Sequence, residues 1–271
     1  MESSHAQRIE ALARDGFVAI PGALGPEAVR RLTAVVDRTY ARRGATGRLA
    51  ADGSLHLLGF VSRDPAFRQL VDLADPLALV AGVLGWNIYL YHCHLDVHPP
   101  CPGQEPPPWR WHQDGGRQNV EVESNPRPRL SLKVAHFLTD LSAPGRGNMM
   151  VIPGSHLRNT LPRPADPQGP CPPPPGAVEL LAAPGTAVVF DRRLWHARSD
   201  NRSPLTRKAL FLAYTYRWVR PRDSYPVTAA WFRRQSGLRR QLMGDAAAPE
   251  GHWLPRDDDV PLRRWMRGRG L

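Results

Sequence analysis

Three side chains suited to a single metal ion lie far apart in this chain, and bringing them together constrains its fold more than any other feature. His112 and Asp114 are two residues apart within Trp111-His112-Gln113-Asp114. On an extended strand such residues project from the same face, so an imidazole and a carboxylate can meet at one point. His196 ends an apolar segment much later in the chain. A shared site therefore requires a fold that returns a distant strand to the first one, as antiparallel sheets do.

The residue types in this set are those of a ferrous iron site. Two histidines and one carboxylate on one face, with the other coordination positions open, form the facial triad of non-heme Fe(II) oxygenases. The open positions admit a bidentate cosubstrate together with dioxygen. By itself the His112 and Asp114 pair is a weak signal, because a histidine on a strand is usually an ordinary packed or surface residue. His196 has the same alternative, as a histidine at the edge of the core.

Arg207 adds a cation of the right kind, at the start of the long strand that follows His196. An arginine near the metal can hold the far carboxylate of a dicarboxylate through a bidentate, charge-assisted pair worth about 1.5–3 kcal/mol. Lys208 is the poorer choice for this role, because an ammonium lacks the planar fork of a guanidinium. The alternative is that Arg207 is one surface charge among the 36 Lys and Arg residues of the chain.

Composition narrows the class of protein. Of the 271 residues, 42% are hydrophobic, which is enough for one sizeable core. Lys and Arg outnumber Asp and Glu by 36 to 25, but they are dispersed, with denser patches only over 233–240 and 263–269, so nucleic acid is not expected as a partner. Cys93, Cys101 and Cys171 fit no disulfide framework or zinc site, and no apolar run is long enough for a bilayer, so the cytoplasm is expected. Nothing in the sequence indicates the oligomeric state.

Short apolar segments broken by Gly/Pro turns predict many strands with flanking helices. We predict helices over 4–14, 26–42, 65–73, 76–84 and 229–243, and strands over 17–20, 86–98, 130–141, 149–152, 178–181, 186–190, 194–197 and 208–218, with one more strand carrying His112 and Asp114. The expected fold is mainly β, a double-stranded β-helix (jelly roll, cupin-like) with flanking N-terminal and C-terminal helices. We expect a single domain over 1–271, with helical support over about 1–85, a jelly-roll core over about 86–220, and a C-terminal helix and tail over about 221–271.

The strand predicted over 86–98 has one face that becomes strongly polar as it proceeds. That face is expected to consist of Ile88, Leu90, His92, His94, Asp96 and His98. Same-face positions on one strand diverge, so we interpret its polar part as the wall of a cavity and not as a separate metal cluster. The residues expected to contact substrate are His94, His98, Lys133 and His136. Together with the loose segment 44–63 and the Pro-rich loop 163–176, they indicate a polar or anionic small molecule as substrate.

The motifs, taken in their order, resemble the phytanoyl-CoA dioxygenase family of Fe(II)/2-oxoglutarate-dependent oxygenases. The resemblance rests on Trp111-His112-Gln113-Asp114, Val151-Ile152-Pro153-Gly154-Ser155-His156, Leu194-Trp195-His196, and Asn201-Arg202-Ser203 leading to Arg207. It extends, with gaps, from Asp15-Gly16-Phe17 to about Tyr216. It implies that His112, Asp114 and His196 are the catalytic iron ligands and that Arg207 binds 2-oxoglutarate. Relatives often have a threonine for 2-oxoglutarate where this chain has Met149, so another hydroxyl or amide must serve here.

The resemblance also implies a reaction in which 2-oxoglutarate and O2 give succinate and CO2 while a substrate C–H bond is hydroxylated. A polar intermediate of secondary metabolism is the expected kind of substrate, although desaturation, epimerisation and ring formation need the same triad and stay open. Related halogenases have a small residue where this chain has Asp114, so halogenation is not expected. Two alternatives remain: the same chemistry on a nucleic acid or other macromolecule, prompted by the net charge of +11, and a jelly-roll binding module without turnover.

Overall fold

Two packed antiparallel sheets form the centre of the protein. The computed structural model describes residues 4–101, 108–225, 228–246 and 250–271. The strands are β1 (Phe17–Ile20), β2 (Leu55–Leu58), β3 (Ile88–His98), β4 (Ser131–Phe137), β5 (Met149–Val151), β6 (Val178–Glu179), β7 (Ala187–Asp191), β8 (His196–Arg198) and β9 (Arg207–Tyr216). The major sheet has the order β1-β7-β4-β9-β3-β2, and the minor sheet has the order β6-β5-β8. This arrangement confirms the predicted jelly roll.

Most of the helices cover the outer face of the major sheet, whereas α5 lies beside the turn that carries Asp114. They are α1 (His5–Asp15), α2 (Pro26–Ala45), α3 (Pro65–Arg68), α4 (Ala74–Leu84), α5 (Gln118–Glu121), α6 (Ala229–Arg233), α7 (Gly237–Leu242) and α8 (Pro261–Arg267). A capping box of Ser4 and Gln7 begins α1, and Gly16 in a left-handed conformation ends it. Residues from the N-terminal helices, the major sheet and α7 and α8 share one apolar core, which supports our proposal that 1–271 is a single domain.

Strand β4 lies near the middle of the major sheet and divides the interior into two layers. Its residues Leu132 and Val134 face the helical layer, whereas Ala135 and Phe137 face the minor sheet. This alternation follows from the two-residue repeat of a strand. Lys133 belongs to the second set and His136 to the first, so these two predicted substrate contacts point to opposite sides of the sheet.

The predicted face of β3 was wrong, because the strand contains a bulge. Pairing with β9 runs from Leu90 opposite Tyr214 to His92 opposite Ala213, which leaves Tyr91 as an extra residue. A bulge reverses the alternation beyond it. Ile88 and Leu90 therefore lie in the apolar helical layer, on the opposite face from the histidines that follow.

Several predicted boundaries were also wrong. The helix predicted over 229–243 is two short helices, because Ser236 caps a new one, and the polar tail folds back as α8. The helix predicted over 65–73 has only one turn, in α3. The loose segment 44–63 contains β2, which pairs with β3. Residues 102–107, between β3 and His112 in the chain, lie outside the described residues. Within the described ranges, no helix is long and apolar enough to cross a membrane.

The His136 imidazole is buried in the helical layer, and burial lowers its pKa to about 4. The unfolded chain titrates near 6.5, so the neutral form stabilises the fold above that pH. As pH falls from about 6.5 towards 4, protonation of the unfolded chain removes up to ~3 kcal/mol of stability. We expect His136→Leu to remove this part of the pH dependence, as measured by urea unfolding at several pH values. His252→Leu, at an exposed position, is the control. An unchanged pH slope in His136→Leu would contradict the buried, neutral state.

Candidate active site

One antiparallel bridge brings the predicted iron ligands together. The N–H groups of His112 and His196 each donate to the carbonyl of the other residue, both at 3.0 Å. Asp114 had been predicted to lie on a strand, but it lies in a turn, where its N–H donates to the Arg192 carbonyl at 2.8 Å. One ligand atom from each of the three side chains nevertheless lies within 4.8 Å of the others. The three groups can therefore share one metal ion.

Backbone carbonyls orient both imidazoles of this triad. Nδ1 of His112 lies 2.9 Å from the Arg110 carbonyl, and Nδ1 of His196 lies 2.8 Å from the Leu194 carbonyl. Because a carbonyl only accepts, each Nδ1 carries the proton and each Nε2 keeps a free lone pair. A hydrogen bond of this kind holds a metal-binding histidine in its tautomer and ring orientation. Burial lowers the pKa of His196 to about 3, so this ligand is neutral and ready to bind a cation.

The turn that carries Asp114 rests on a buried arginine. Arg192 has no exposed surface, and its Nη1 donates to Oδ1 of Asn119 at 3.0 Å. Nδ2 of Asn119 in turn donates to the Asp114 carbonyl at 3.0 Å. Gly115 has a φ of +127°, and a Cβ there would overlap Nη1 of Arg192. A glycine is therefore required beside the carboxylate ligand, because the guanidinium approaches its backbone directly.

Lys133 forms a buried ion pair with the carboxylate of the triad. Its Nζ lies 2.8 Å from Oδ2 of Asp114, and both side chains are largely buried. Burial alone would raise the pKa of Asp114, but the charge and the hydrogen bond of the Lys133 ammonium outweigh it, and the net pKa lies well below the usual range. The carboxylate is thus ionised in the absence of a metal, with the ammonium as its counter-ion.

Arg207 presents an unpaired guanidinium to the same cavity. The residue is 2% exposed, and its Nε and Nη1 have no hydrogen-bond partner among the described residues. Burial lowers its pKa to about 10, which still leaves it charged at neutral pH. A Cβ on Gly147 would lie 2.9 Å from Cδ of Arg207, so the glycine gives the side chain its space. A buried cation with free donors fits an incoming carboxylate.

The triad and Arg207 line one cavity of about 350 Å³. Its charged lining comprises five cations and two carboxylates: Arg110, Lys133, Arg198, Arg207 and Arg222, and Asp96 and Asp114. Imidazole, apolar and aromatic side chains complete the wall together with the triad histidines: His56, His92, His94, Met149, Phe190, Ala197 and Phe211. Met149 thus lines the cavity.

The cavity includes two of the four predicted substrate residues. His94 and Lys133 line it, as does the polar wall expected from His92 and Asp96. His98 does not line it, and His136 faces the opposite side of the sheet.

Four polar lining residues had been named neither as substrate contacts nor as part of the polar wall: His56, Arg110, Arg198 and Arg222. Two of them had a usable signal, because Arg110 and Arg198 each stand two residues from a triad histidine. His56 lies within the segment 44–63, which the sequence had associated with the substrate, whereas Arg222 had no signal because only tertiary packing brings it to the site.

The Pro153 to His156 turn supports the site from behind. Oγ of Ser155 accepts from the Trp195 N–H at 3.0 Å, next to His196. Nε2 of His156 lies 3.1 Å from the Ala13 carbonyl in α1. The turn therefore ties the N-terminal helix to the strand that carries a triad ligand, and His156 has a packing role.

Comparison with known proteins agrees with this geometry. The model of the phytanoyl-CoA dioxygenase family matches residues 12–209. An ectoine dioxygenase of Nocardia farcinica is 28% identical over 243 residues, covering 78% of this chain and 77% of that protein. Dioxygenase trt7 of Aspergillus terreus is 27% identical over 216 residues, covering 75% and 71%.

Solved structures establish the fold independently. EctD from S. alaskensis, determined with 2-oxoglutarate and 5-hydroxyectoine, superposes with a TM-score of 0.59 at 24% identity, covering 84% of this chain and 82% of that one. The epimerase SnoN, in complex with Fe3+, alpha ketoglutarate and nogalamycin RO, gives a TM-score of 0.58 at 18% identity, covering 83% and 96%.

Lys133→Met tests whether the ammonium substitutes for a metal at Asp114. Removing one partner of a buried ion pair costs about 3–5 kcal/mol, so the metal-free variant should unfold at a lower temperature than the wild type. Divalent metal should restore more stability to the variant than to the wild type, because it supplies the missing charge. Thermal unfolding with and without Fe(II) under anaerobic conditions measures both effects. Lys208→Met is the control, since Lys208 pairs instead with the half-exposed Asp37. Equal metal-induced shifts in wild type and Lys133→Met would refute the idea.

Proposed function

The chain belongs to the phytanoyl-CoA dioxygenase family of Fe(II)/2-oxoglutarate-dependent oxygenases, and from this premise we propose that it oxidises a C–H bond of a polar, anionic small molecule. In the overall reaction the substrate, 2-oxoglutarate and O2 give the hydroxylated product, succinate and CO2. The observation that carries the proposal is the pairing of two complementary half-sites in one cavity. Three metal-ligand atoms converge at one part of it, and a buried guanidinium with unused donors lies at another.

Each residue has a defined part in this proposal. His112, Asp114 and His196 hold ferrous iron, and the bound iron supplies the activation of O2. Arg207 orients 2-oxoglutarate by pairing with its far carboxylate, while the rings of Phe137 and Phe211 lie beside the guanidinium and exclude water. Lys133 keeps the Asp114 carboxylate ionised and fixed. Asp114 fills the position that a halide would need, so chlorinated products are not expected.

The charge of the cavity supports an anionic substrate. Apart from Arg207, which the cosubstrate uses, the lining has the cations Arg110, Lys133, Arg198 and Arg222. Arg110 is paired with Asp200, and Lys133 with Asp114. Arg198 and Arg222 therefore are the candidates for a substrate carboxylate or phosphate. Ectoine dioxygenases, which are among the relatives, take their name from a small molecule, which fits the size of the cavity.

The alternatives have less support. A nucleic-acid substrate would require basic residues clustered around the mouth, but the patches over 233–240 and 263–269 do not line the cavity. A binding module without turnover would not need a complete triad and a buried Arg207. We further propose that the enzyme acts in the cytoplasm, because Cys93, Cys101 and Cys171 are free thiols.

The experiment that tests this function compares two site variants. His196→Ala should lose one iron ligand and abolish iron-dependent succinate formation, and Arg207→Lys should weaken 2-oxoglutarate binding at least tenfold, about 1.4 kcal/mol. Binding is followed by the charge-transfer absorption of the anaerobic Fe(II) complex, which does not require the substrate. His252→Ala and Arg220→Lys, both at exposed positions, are matched controls. Full iron-dependent turnover in His196→Ala would overturn the site assignment.

A further inference from the structure

A buried chain of hydrogen bonds leads from a carboxylate to the cavity wall. Nδ1 of His92 lies 2.9 and 3.0 Å from the two carboxylate oxygens of Asp223. Nε2 of His92 lies 3.1 Å from Nδ1 of His94. All three side chains are at least nine-tenths buried. His94 is the last member of the chain, and it lines the cavity. None of these residues is a triad ligand.

The order of donors and acceptors in this chain is fixed by Asp223. A carboxylate only accepts, so Nδ1 of His92 carries its proton and Nε2 of His92 has the lone pair. That lone pair must accept from Nδ1 of His94, which leaves Nε2 of His94 unprotonated. Burial keeps His94 neutral, because it lowers the pKa of this histidine well below the usual value. The outcome is a lone pair that faces the cavity.

A second acceptor lies opposite that lone pair. Oδ2 of Asp96 is 3.7 Å from Nε2 of His94, while Oδ1 of Asp96 is 2.7 Å from Nδ1 of His56. Burial would raise the pKa of Asp96, but the hydrogen bond from His56 and the charges around it keep the pKa well below its usual range. Two acceptors facing each other without a proton between them leave room for a donor from a ligand.

We propose that Nε2 of His94 and Oδ2 of Asp96 bind a hydroxyl or amino group of the substrate, and that Asp223, acting through His92, is the positioning residue that fixes the His94 tautomer. The inference rests on the proposed function, and it adds a hydrogen-bond donor to the anionic group expected of the substrate.

A divalent metal at His56, His94 and Asp96 is the competing occupant, since one ligand atom of each lies within 4.8 Å of the others. The charges around the cluster oppose it: the Lys133 ammonium acts on His94, and the Arg207 guanidinium acts on Asp96. A neutral or singly charged donor therefore suits the position better than a dication. We expect zinc titration to give one bound ion per chain. A second ion that disappears in Asp96→Asn would overturn the proposal.

The tautomer can be measured without knowing the substrate. In the zinc- and 2-oxoglutarate-loaded protein with 15N-labelled histidine, two-bond 15N–1H correlations show which ring nitrogen is protonated. We expect His92 and His94 each to be protonated at Nδ1 only. In Asp223→Asn, the Cys93 N–H, which donates to Oδ2 at 2.8 Å, selects the amide oxygen and turns the amide NH2 towards His92. Both tautomers should then reverse, as a buried aspartate that orients a histidine requires. Asp258→Asn, at an exposed position, should change neither.

The wild-type spectrum decides the assignment even if Asp223→Asn does not fold, because a proton on Nε2 of His94 refutes it. Recognition is tested by succinate formation with matched pairs of small carboxylates and phosphates that differ only in one hydroxyl or amino group. A site built to bind such a group rejects the analogue without it by at least a hundredfold in kcat/KM, and His94→Leu should abolish that preference. Equal stimulation of the wild type by both members would overturn the proposal. If no pair stimulates succinate formation, the result would count against the anionic substrate class, while the measured tautomers would still test the role of His94.

Discussion

The reciprocal hydrogen bonds between the backbones of His112 and His196 are the contact on which the site depends. They place two imidazoles from distant parts of the chain side by side, with ring centroids 4.2 Å apart. The bridge is a single residue pair, so its rigidity must come from elsewhere. The buried Arg192 beneath the Asp114 turn and the Ser155 hydroxyl that accepts from Trp195 provide it. The iron ligands are thus held by loops, and the loops are held by polar groups that the jelly roll buries.

Buried positive charge is the second constraint. Arg207, Lys133 and Arg192 are each at least nine-tenths buried, although burying an unpaired charge is costly. Arg192 donates to carbonyls and amides, and Lys133 pairs with Asp114, so their cost is offset within the fold. For Arg207 no comparable partner is found among the described residues for Nε and Nη1. The desolvation cost of the Arg207 guanidinium is therefore not offset within the fold. It favours the binding of an anion, because a ligand carboxylate can accept the hydrogen bonds that the fold leaves unmade.

The sequence predicted the structure where the two-residue alternation of a strand or a specific motif determined it. The jelly roll and the layers of β4 follow from alternation, and the candidate ligands His112, Asp114 and His196 from residue type. The turn that carries Asp114 did not follow from alternation, which had predicted a strand there. The faces of β3 could not be predicted, because the bulge at Tyr91 arises from pairing with β9. His136 and Lys133 were both assigned to the site, although they are three positions apart on one strand. Residues an odd number of positions apart point to opposite faces, so the two assignments were already incompatible. Tertiary packing brings Arg222 to the cavity and Asp223 to His92, and no local pattern records either contact.

Two clusters of two imidazoles and one carboxylate therefore share this cavity and differ in where their protons lie. In the triad, both Nδ1–H groups are used on backbone carbonyls, so two lone pairs and an ionised carboxylate meet at one point. In the second cluster, Nδ1 of His56 donates to Asp96 itself, so one carboxylate oxygen is already occupied. The His56 ring is exposed, and the buried lone pair of the cluster is the one on Nε2 of His94. The first arrangement has the charge and donor count of a metal site. The second has those of a hydrogen-bond acceptor, because its remaining groups match a single O–H or N–H and not a dication.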